Sequence, residues 1–279
     1  MNKQIELGLL NTLKINRETD NGFYLIAQDE EEVLLPNLYI TDTMNIGDEI
    51  EVFIYTDSED RLVATTETPK AFKDQFAFLE VVDTAPFGAF VDMGLQKDLL
   101  VPKNRQKSPF RTGQKRIIRV IEDEDSGRLL GVEKITSYLT NKTSHLKRNT
   151  PVEVLIMATT PLGFKVIVDN LYEGLIYKNE VFEPLNTGDK KQAFIKTVRE
   201  DGKLDISLQK IGAKNDADIL DKVLEVLEKN SGFVELNSKS DPEDIKEIFG
   251  MSKKNFKKSL TTLQEQKKIT LKENGISLI

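Results

Sequence analysis

The chain has 279 residues, no cysteine, no tryptophan and one histidine, with 39% hydrophobic and 30% charged side chains. That excludes disulfides and thiolate metal centres, is ordinary for a globular protein, and leaves no apolar run near the ~20 residues a membrane helix needs. The net charge of −7 is uneven: residues 1–68 hold 4 basic and 15 acidic side chains while the rest is near balance, so any basic surface must be local. The stretch from Met1 to Gly8 lacks the apolar core of a secretory signal, which predicts residence in the cytoplasm.

Three units follow one template. In residues 1–68 it runs Asn21-Gly22-Phe23-Tyr24, then Ile46-Gly47-Asp48, then Arg61-Leu62. In residues 69–140 it runs Phe87-Gly88-Ala89-Phe90, Thr112-Gly113-Gln114 and Arg128-Leu129. In residues 141–212 it runs Leu162-Gly163-Phe164-Lys165, Thr187-Gly188-Asp189 and Lys203-Leu204. The two glycines are 25 positions apart each time, and the units superpose at offsets of 66 (67 at the end) and 75. An internal repeat at this spacing constrains the fold more than any single residue.

Each unit reads as short strands. In the third, 152–158 and 164–168 are rich in β-branched residues, and Leu204, Ile206 and Leu208 alternate onto one face. Asp20-Asn21-Gly22, Asn186-Thr187-Gly188 and Asp201-Gly202 supply turns. About five strands per unit and no long helix predict a small closed barrel, which leaves no sheet edge exposed. Linkers fall at 66–72 and 136–147, the second containing His145, read as solvated or capping.

Residues 213–279 change pattern. Ile219, Leu220, Val223, Leu224, Val226 and Leu227 recur at helical spacing, with Asp216 and Asp218 near the helix start. Ser240-Asp241-Pro242-Glu243 opens a second helix that stops at Gly250. Ser252 caps a third, with Phe256, Leu260 and Leu263 as its apolar stripe. Ile269–Leu271 and Ile276–Ile279 flank a hairpin tip containing Asn274-Gly275, completing a winged-helix layout. The expected fold is mainly β: three tandem five-stranded barrels, then an α/β winged helix.

Catalysis has little material. One histidine and no cysteine leave no nucleophile–base set, so no catalytic residue, cofactor or metal site is expected. The run Glu122-Asp123-Glu124-Asp125 has the oxygen ligands a divalent cation takes, but before Ser126-Gly127 it reads as an exposed turn. Binding chemistry is richer. The second unit sets Phe87 and Phe90 among Lys97, Lys103, Arg105, Lys107, Arg111, Lys115, Arg116, Arg119 and Arg128. Aromatics on a barrel face stack unpaired bases at ~1–3 kcal/mol per base, while cations track phosphates. Three positions apart in a strand, the two phenylalanines are expected on opposite faces, one of them in the core. The third unit offers Phe164, Lys165, Tyr172, Tyr177 and Lys178; the first has Asn21 and Tyr24 in an acidic setting that points to a structural or protein-docking role. In the winged helix Lys254, Lys257 and Lys258 lie opposite the apolar stripe, where a recognition helix presents cations to a groove.

The segments Phe87–Val91, Asp98–Pro102, Thr112–Gln114 and Ser126–Leu129, and their counterparts in the third unit, resemble the RNA-binding domain repeated in the large ribosomal protein S-one, an OB-fold barrel. Three such domains followed by a winged helix resemble the bacterial conserved virulence factor B family along essentially the whole chain. The resemblance implies a non-catalytic RNA-binding protein of the bacterial cytoplasm with a regulatory role. In that domain two aromatics around the first glycine, a histidine after the next strand and a basic residue after the second hairpin commonly meet RNA. Phe87, Phe90 and Arg128 fill three of these places in the second unit, with Pro102 at the histidine position. The third unit has Tyr177 and Lys203 at the last two, and the first has Pro36 and Arg61.

The expected function is low-specificity capture of single-stranded RNA in post-transcriptional or virulence-related regulation. Linked weak sites raise one another's effective concentration, so modest domains bind usefully together. Two alternatives stand beside it: a regulator binding duplex DNA through the winged helix, and a ribosome or transcription accessory that docks a protein through the acidic first unit. No membrane partner is expected.

Overall fold

The computed structural model describes residues 1–211 and 213–279, with side chains of the second stretch described from Asp218 onward; Asp216 lies outside them. The chain divides into two compact units, Met1–Tyr138 and Leu139–Ile279.

The first unit begins with β1 (Leu10–Thr19), β2 (Gly22–Ile26), β3 (Glu32–Pro36), β4 (Glu49–Thr56) and β5 (Leu62–Thr65), closed into a barrel in the order β1-β2-β3-β5-β4. Alternation sends Leu13, Ile15, Phe23, Leu25, Val33, Leu35, Val52 and Ile54 inward as one core. The next strands are β6 (Phe76–Ala85), β7 (Gly88–Val91), β8 (Leu99–Pro102), β9 (Lys115–Asp123) and β10 (Arg128–Val132). They follow the same path as a five-stranded sheet, β10-β9-β6-β7-β8, in which β8 and β10 form no ladder among the described residues. The expected third closed barrel is thereby corrected: the middle one is open along one seam.

The three copies differ in how far the third and fifth strands pair. In the second unit of the chain, β11 (Pro151–Thr159), β12 (Gly163–Val168), β13 (Tyr172–Tyr177), β14 (Lys190–Val198) and β15 (Leu204–Ser207) close fully. There β13 ends on Tyr177 and pairs with β15 from Gly174↔Leu204 to Ile176↔Ile206. In the first barrel β3 ends on Pro36, and the seam is the single pair Leu34↔Val63. In the middle sheet β8 ends on Pro102. A proline has no N–H to add to a ladder, so the seam weakens where one stands. Side chains hold the middle seam instead: a Cβ on Gly131 would come within 2.7 Å of Val101 and 3.3 Å of Leu99.

Within the first unit the two barrels share a hydrophobic seam. Phe53, Tyr55 and Val63, on the outer side of the first barrel, pack with Phe72, Leu95 and Leu129. The rings of Phe53 and Phe72 meet edge-on at 5.9 Å. Polar ties rim this seam. Arg128 pairs with Asp60, Lys97 lies 3.7 Å from Asp60, and the Lys73 N–H donates to the Gly8 carbonyl at 2.8 Å.

The chain ends in a winged helix: α1 (Ala213–Lys229), β16 (Phe233–Val234), α2 (Pro242–Phe249), α3 (Lys253–Glu265), β17 (Ile269–Lys272) and β18 (Gly275–Leu278). Asp241 accepts the Glu243 N–H at 2.8 Å and Ser252 the Asn255 N–H at 3.2 Å, capping α2 and α3 as their sequences require. Gly250, at φ 58°, ends α2 in the left-handed conformation. Phe249, Phe256, Leu260 and Leu263 join Ile245, Ile269 and Ile276 in its core. No described helix is long and apolar enough to cross a membrane.

Two stability predictions follow from the first unit. Gly22 has φ +140° and an added Cβ would lie 2.0 Å from the Leu35 oxygen, whereas Gly113 has φ +82° and open space around it. In urea denaturation of the full chain, Gly22→Ala should cost about 3 kcal/mol and Gly113→Ala only about 1 kcal/mol, the latter from backbone strain alone. The second concerns Asp98, which lines the seam between the barrels. Burial, then the charges of Asp92 and Asp83, push its carboxyl up. A folded-state pKa above the unfolded one means that protonation favours the fold; the resulting stability is present at low pH and lost as pH rises through the folded value. Asp98→Asn should therefore raise Tm at neutral pH, and the gain should vanish below about pH 4.

Candidate nucleic-acid interface

Each barrel presents corresponding residues on the outer side of its second and third strands. Tyr24 lies opposite Leu34, Phe90 opposite Leu100, and Lys165 opposite Leu175. The preceding turn carries Asn21, Phe87 or Leu162, whose carbonyls accept the N–H of Asn37 at 3.1 Å, Lys103 at 2.9 Å and Lys178 at 3.1 Å. One backbone geometry thus displays three different chemistries.

On the first barrel the display is closed. The Arg17 guanidinium lies 3.7 Å over the Tyr24 ring and grips Glu32 with Nε at 3.2 Å and Nη2 at 2.7 Å. Hydrogen bonds from Arg17 and then Asn16 hold the Glu32 carboxyl below its ordinary range. Arg61 is equally occupied, donating to Asp57 at 2.9 and 2.7 Å and standing 3.0 Å from Glu59. A base finds the ring face covered, and a phosphate finds both guanidinium groups satisfied.

The second barrel is different. Phe87 is 61% exposed and Phe90 half-buried, and their rings meet edge-to-face at 6.1 Å and 89°. The expectation of opposite faces with one ring in the core is corrected. Phe87 precedes β7 and sits in the turn, outside the strand alternation; Ala89 and Val91 take the inward positions. Lys103 and Lys107 are exposed and carry no ion pair among the described residues. Arg105 is engaged with Asp123 at 3.3 Å, and Arg128 is drawn to Asp60 of the first barrel. The candidate set here is therefore Phe87, Phe90, Lys103 and Lys107, with Arg128 committed to the seam. Asp60, which takes Arg128, was not singled out from the sequence; its signal was the acidic Asp57–Asp60 turn.

On the third barrel Phe164 packs against the core, since alternation turns it inward with Val166 and Val168, and so it forms barrel wall rather than a stacking surface. Lys165 and Lys203 both approach Glu173, at 3.9 and 3.0 Å. The Tyr177 hydroxyl accepts from Arg199 at 3.2 Å and its ring has Lys196 at 5.4 Å, while Arg199 also grips Asp205. Lys178 is exposed and carries no ion pair among the described residues. More of this surface's cations are paired than on the second barrel.

In the winged helix Lys254, Lys257 and Lys258 are exposed on α3, opposite the buried Phe256, Leu260 and Leu263. On the wing Lys272 stands 5.4 Å over the Phe233 ring. The acidic run 122–125 spans the end of β9 and the start of the turn to β10, where Asp123 accepts from Ser126 at 2.8 Å. Among the described residues no group of three or more His, Asp or Glu side chains is placed to hold a metal ion. His145 Nε2 lies 3.4 Å from the Tyr172 hydroxyl.

Comparison with known proteins places this geometry in a family. A model described as an S1 domain matches residues 7–67, and one described as a CvfB-like winged helix domain matches residues 221–278. The uncharacterized protein YitL of Bacillus subtilis is 33% identical over 95% of this chain and 90% of its own length. Conserved virulence factor B of Staphylococcus saprophyticus is 26% identical over 98% of this chain and 94% of its own. A crystal structure described as a multidomain protein with nucleic acid binding domains from Streptococcus pneumoniae covers 98% of each chain at 28% identity, with a TM-score of 0.43. With a relative one-third identical along nearly the whole chain and the winged-helix model seated on its last domain, the chain belongs to the conserved virulence factor B family.

Proposed function

We propose that this protein is a non-catalytic, low-specificity binder of single-stranded RNA, acting in the cytoplasm in post-transcriptional or virulence-related regulation. The observation that carries the reading is the exposed Phe87–Phe90 pair beside the unpaired ammonium groups of Lys103 and Lys107. An edge-to-face pair offers an exposed ring on which a base can stack, and every base has a π-face, so such contact is tolerant of sequence. The lysines supply the phosphate term, which weakens as salt rises. The S1-domain match supports nucleic-acid binding, and the name of one relative, conserved virulence factor B, supports the link to virulence. Lys178 on the third barrel and the α3 lysines offer further backbone contacts of the same low specificity.

Fluorescence anisotropy of the full chain with a labelled single-stranded RNA tests this. Phe87→Ala and Phe90→Ala should each weaken binding by about 1–3 kcal/mol, the worth of one stacked base. Lys103→Ala and Lys107→Ala should each flatten the log–log salt dependence by about 0.7, the single-strand value per phosphate contact. Arg128→Ala should change affinity much less than Phe90→Ala, because its guanidinium is already paired with Asp60. Unchanged affinity in the Phe87→Ala/Phe90→Ala double variant would falsify the reading. If duplex DNA competes better than single-stranded RNA, and Lys254→Ala/Lys257→Ala removes that competition, the winged-helix reading replaces it.

A further inference from the structure

Beside the aromatic pair the second barrel carries a cleft of about 420 Å³, between the turn that holds Phe87 and the loop that follows β8. Its lining includes Thr84, Pro86, Lys103, Lys107, Ser108 and Phe110. That volume falls within the ~300–1,000 Å³ typical of small-molecule clefts.

The walls are fixed rather than soft. The Lys103 N–H donates to the Phe87 carbonyl at 2.9 Å, tying the loop to the turn. Buried Gln106 donates through Nε2 to the Val101 carbonyl at 2.9 Å, and the Lys107 N–H donates to Glu133 at 2.6 Å. Phe110, buried at the base of the loop, has the Arg116 guanidinium 5.2 Å from its ring. Arg116 also stands 3.5 Å from Glu133, so the nearby carboxylate is already countered. The ammonium groups of Lys103 and Lys107 are left without an ion pair at the rim, the hydroxyls of Thr84 and Ser108 stand on the walls, and proline and phenylalanine surfaces form the apolar part.

Apolar proline and phenylalanine surface, two hydroxyls and two cations without an ion pair, all lining one cleft, are the complement of a nucleoside monophosphate: ring against the apolar surface, ribose to the hydroxyls, phosphate to the lysines. We infer that this cleft binds one nucleoside monophosphate unit, next to the nucleotide stacked at Phe87 and Phe90. The inference rests on the single-strand reading above and adds to it a second subsite, in an open cleft. The unit is either the next nucleotide of a bound strand or a free mononucleotide.

Amide chemical-shift mapping of the full chain, titrated with 5′-UMP, 5′-AMP, inorganic phosphate and a six-nucleotide oligouridine, tests it. The expected result is shifts at Thr84, Lys107 and Ser108 with the oligonucleotide, with a mononucleotide, or with both; the pattern identifies the source of the unit. Ser108→Trp, an exposed position, should fill the mouth, abolish those shifts and weaken the oligonucleotide about fivefold or more, the worth of one lost base contact. Phe90→Ala should weaken the oligonucleotide while leaving any mononucleotide shifts in the cleft. The inference is overturned if no nucleotide moves these amides, if phosphate alone reproduces the full pattern, or if Ser108→Trp binds the oligonucleotide as the parent does. Loss of affinity in Phe90→Ala with no effect of Ser108→Trp would sink the cleft and leave the single-strand reading standing. No effect of either variant would sink both.

Discussion

A methyl group at Gly22 would lie 2.0 Å from the Leu35 carbonyl oxygen, and one at Gly163 would lie 2.1 Å from that of Ile176. Strands this short bury their apolar side only if the sheet coils tightly, and coiling brings the start of the second strand onto the end of the third. Only a residue without Cβ fits there. The same crossing sets the exposed turn, because the residue before the glycine gives its carbonyl to the N–H that follows the third strand. Packing along the closing seam then varies by compensation. At the buried positions related by the repeat, Leu99 faces Gly131 in the second barrel and Ile206 faces Gly174 in the third. Val33 and Ala64 hold those positions in the first. A large residue on one strand is matched by a small one on the other, which conserves volume while the sequence drifts.

Electrostatics decides which copy of the scaffold stays open. An acid recurs at one position in all three barrels: Glu32, Asp98 and Glu173. In the first and third it gathers cations, Arg17 in one and Lys165 and Lys203 in the other. A phosphate approaching those faces must displace a carboxylate already in place. Among the described residues Asp98 of the second barrel carries no such pair, and Lys103 and Lys107 lie on the segment after β8. Their charge remains available to solvent and to ligand. The S1-domain match falls on residues 7–67, the barrel whose face is most fully neutralised, so likeness of scaffold and availability of chemistry part company.

The repeat, the strand-rich units and the winged-helix order were readable because glycine spacing, alternation and capping residues act locally. Asp241, Gly250 and Ser252 bound their helices by rules that need no tertiary information. What stayed hidden was set by neighbours distant in sequence. The two-residue strand Phe233–Val234 is too short to carry a period and exists only because β18 pairs with it. The open seam of the middle barrel shows only once its third and fifth strands lie side by side, since Pro36 ends the corresponding strand of the closed first barrel just as Pro102 does here. The place of Phe87 outside the strand, and of Phe164 inside the core, turned on one residue of register at the glycine. Arg128 read as a free cation because Asp60 lies 68 positions away.

That pair also gives the acidic first barrel a role of its own. Phe53, Tyr55 and Val63 are spent on the seam with the second barrel, and the Asp60 carboxylate draws Lys97 and Arg128 toward it, Lys97 also donating to the Asp57 backbone carbonyl. Part of the surplus acid is therefore consumed as intramolecular glue at a hydrophobic contact. The rest repels phosphate within the ~8–10 Å over which charge is felt at physiological ionic strength. In the proposed binding mode a strand is pushed from the acidic face and held at the neighbouring one. Acidity in one barrel then directs the strand to the next, which is how an overall negative chain would bind a polyanion at a local place.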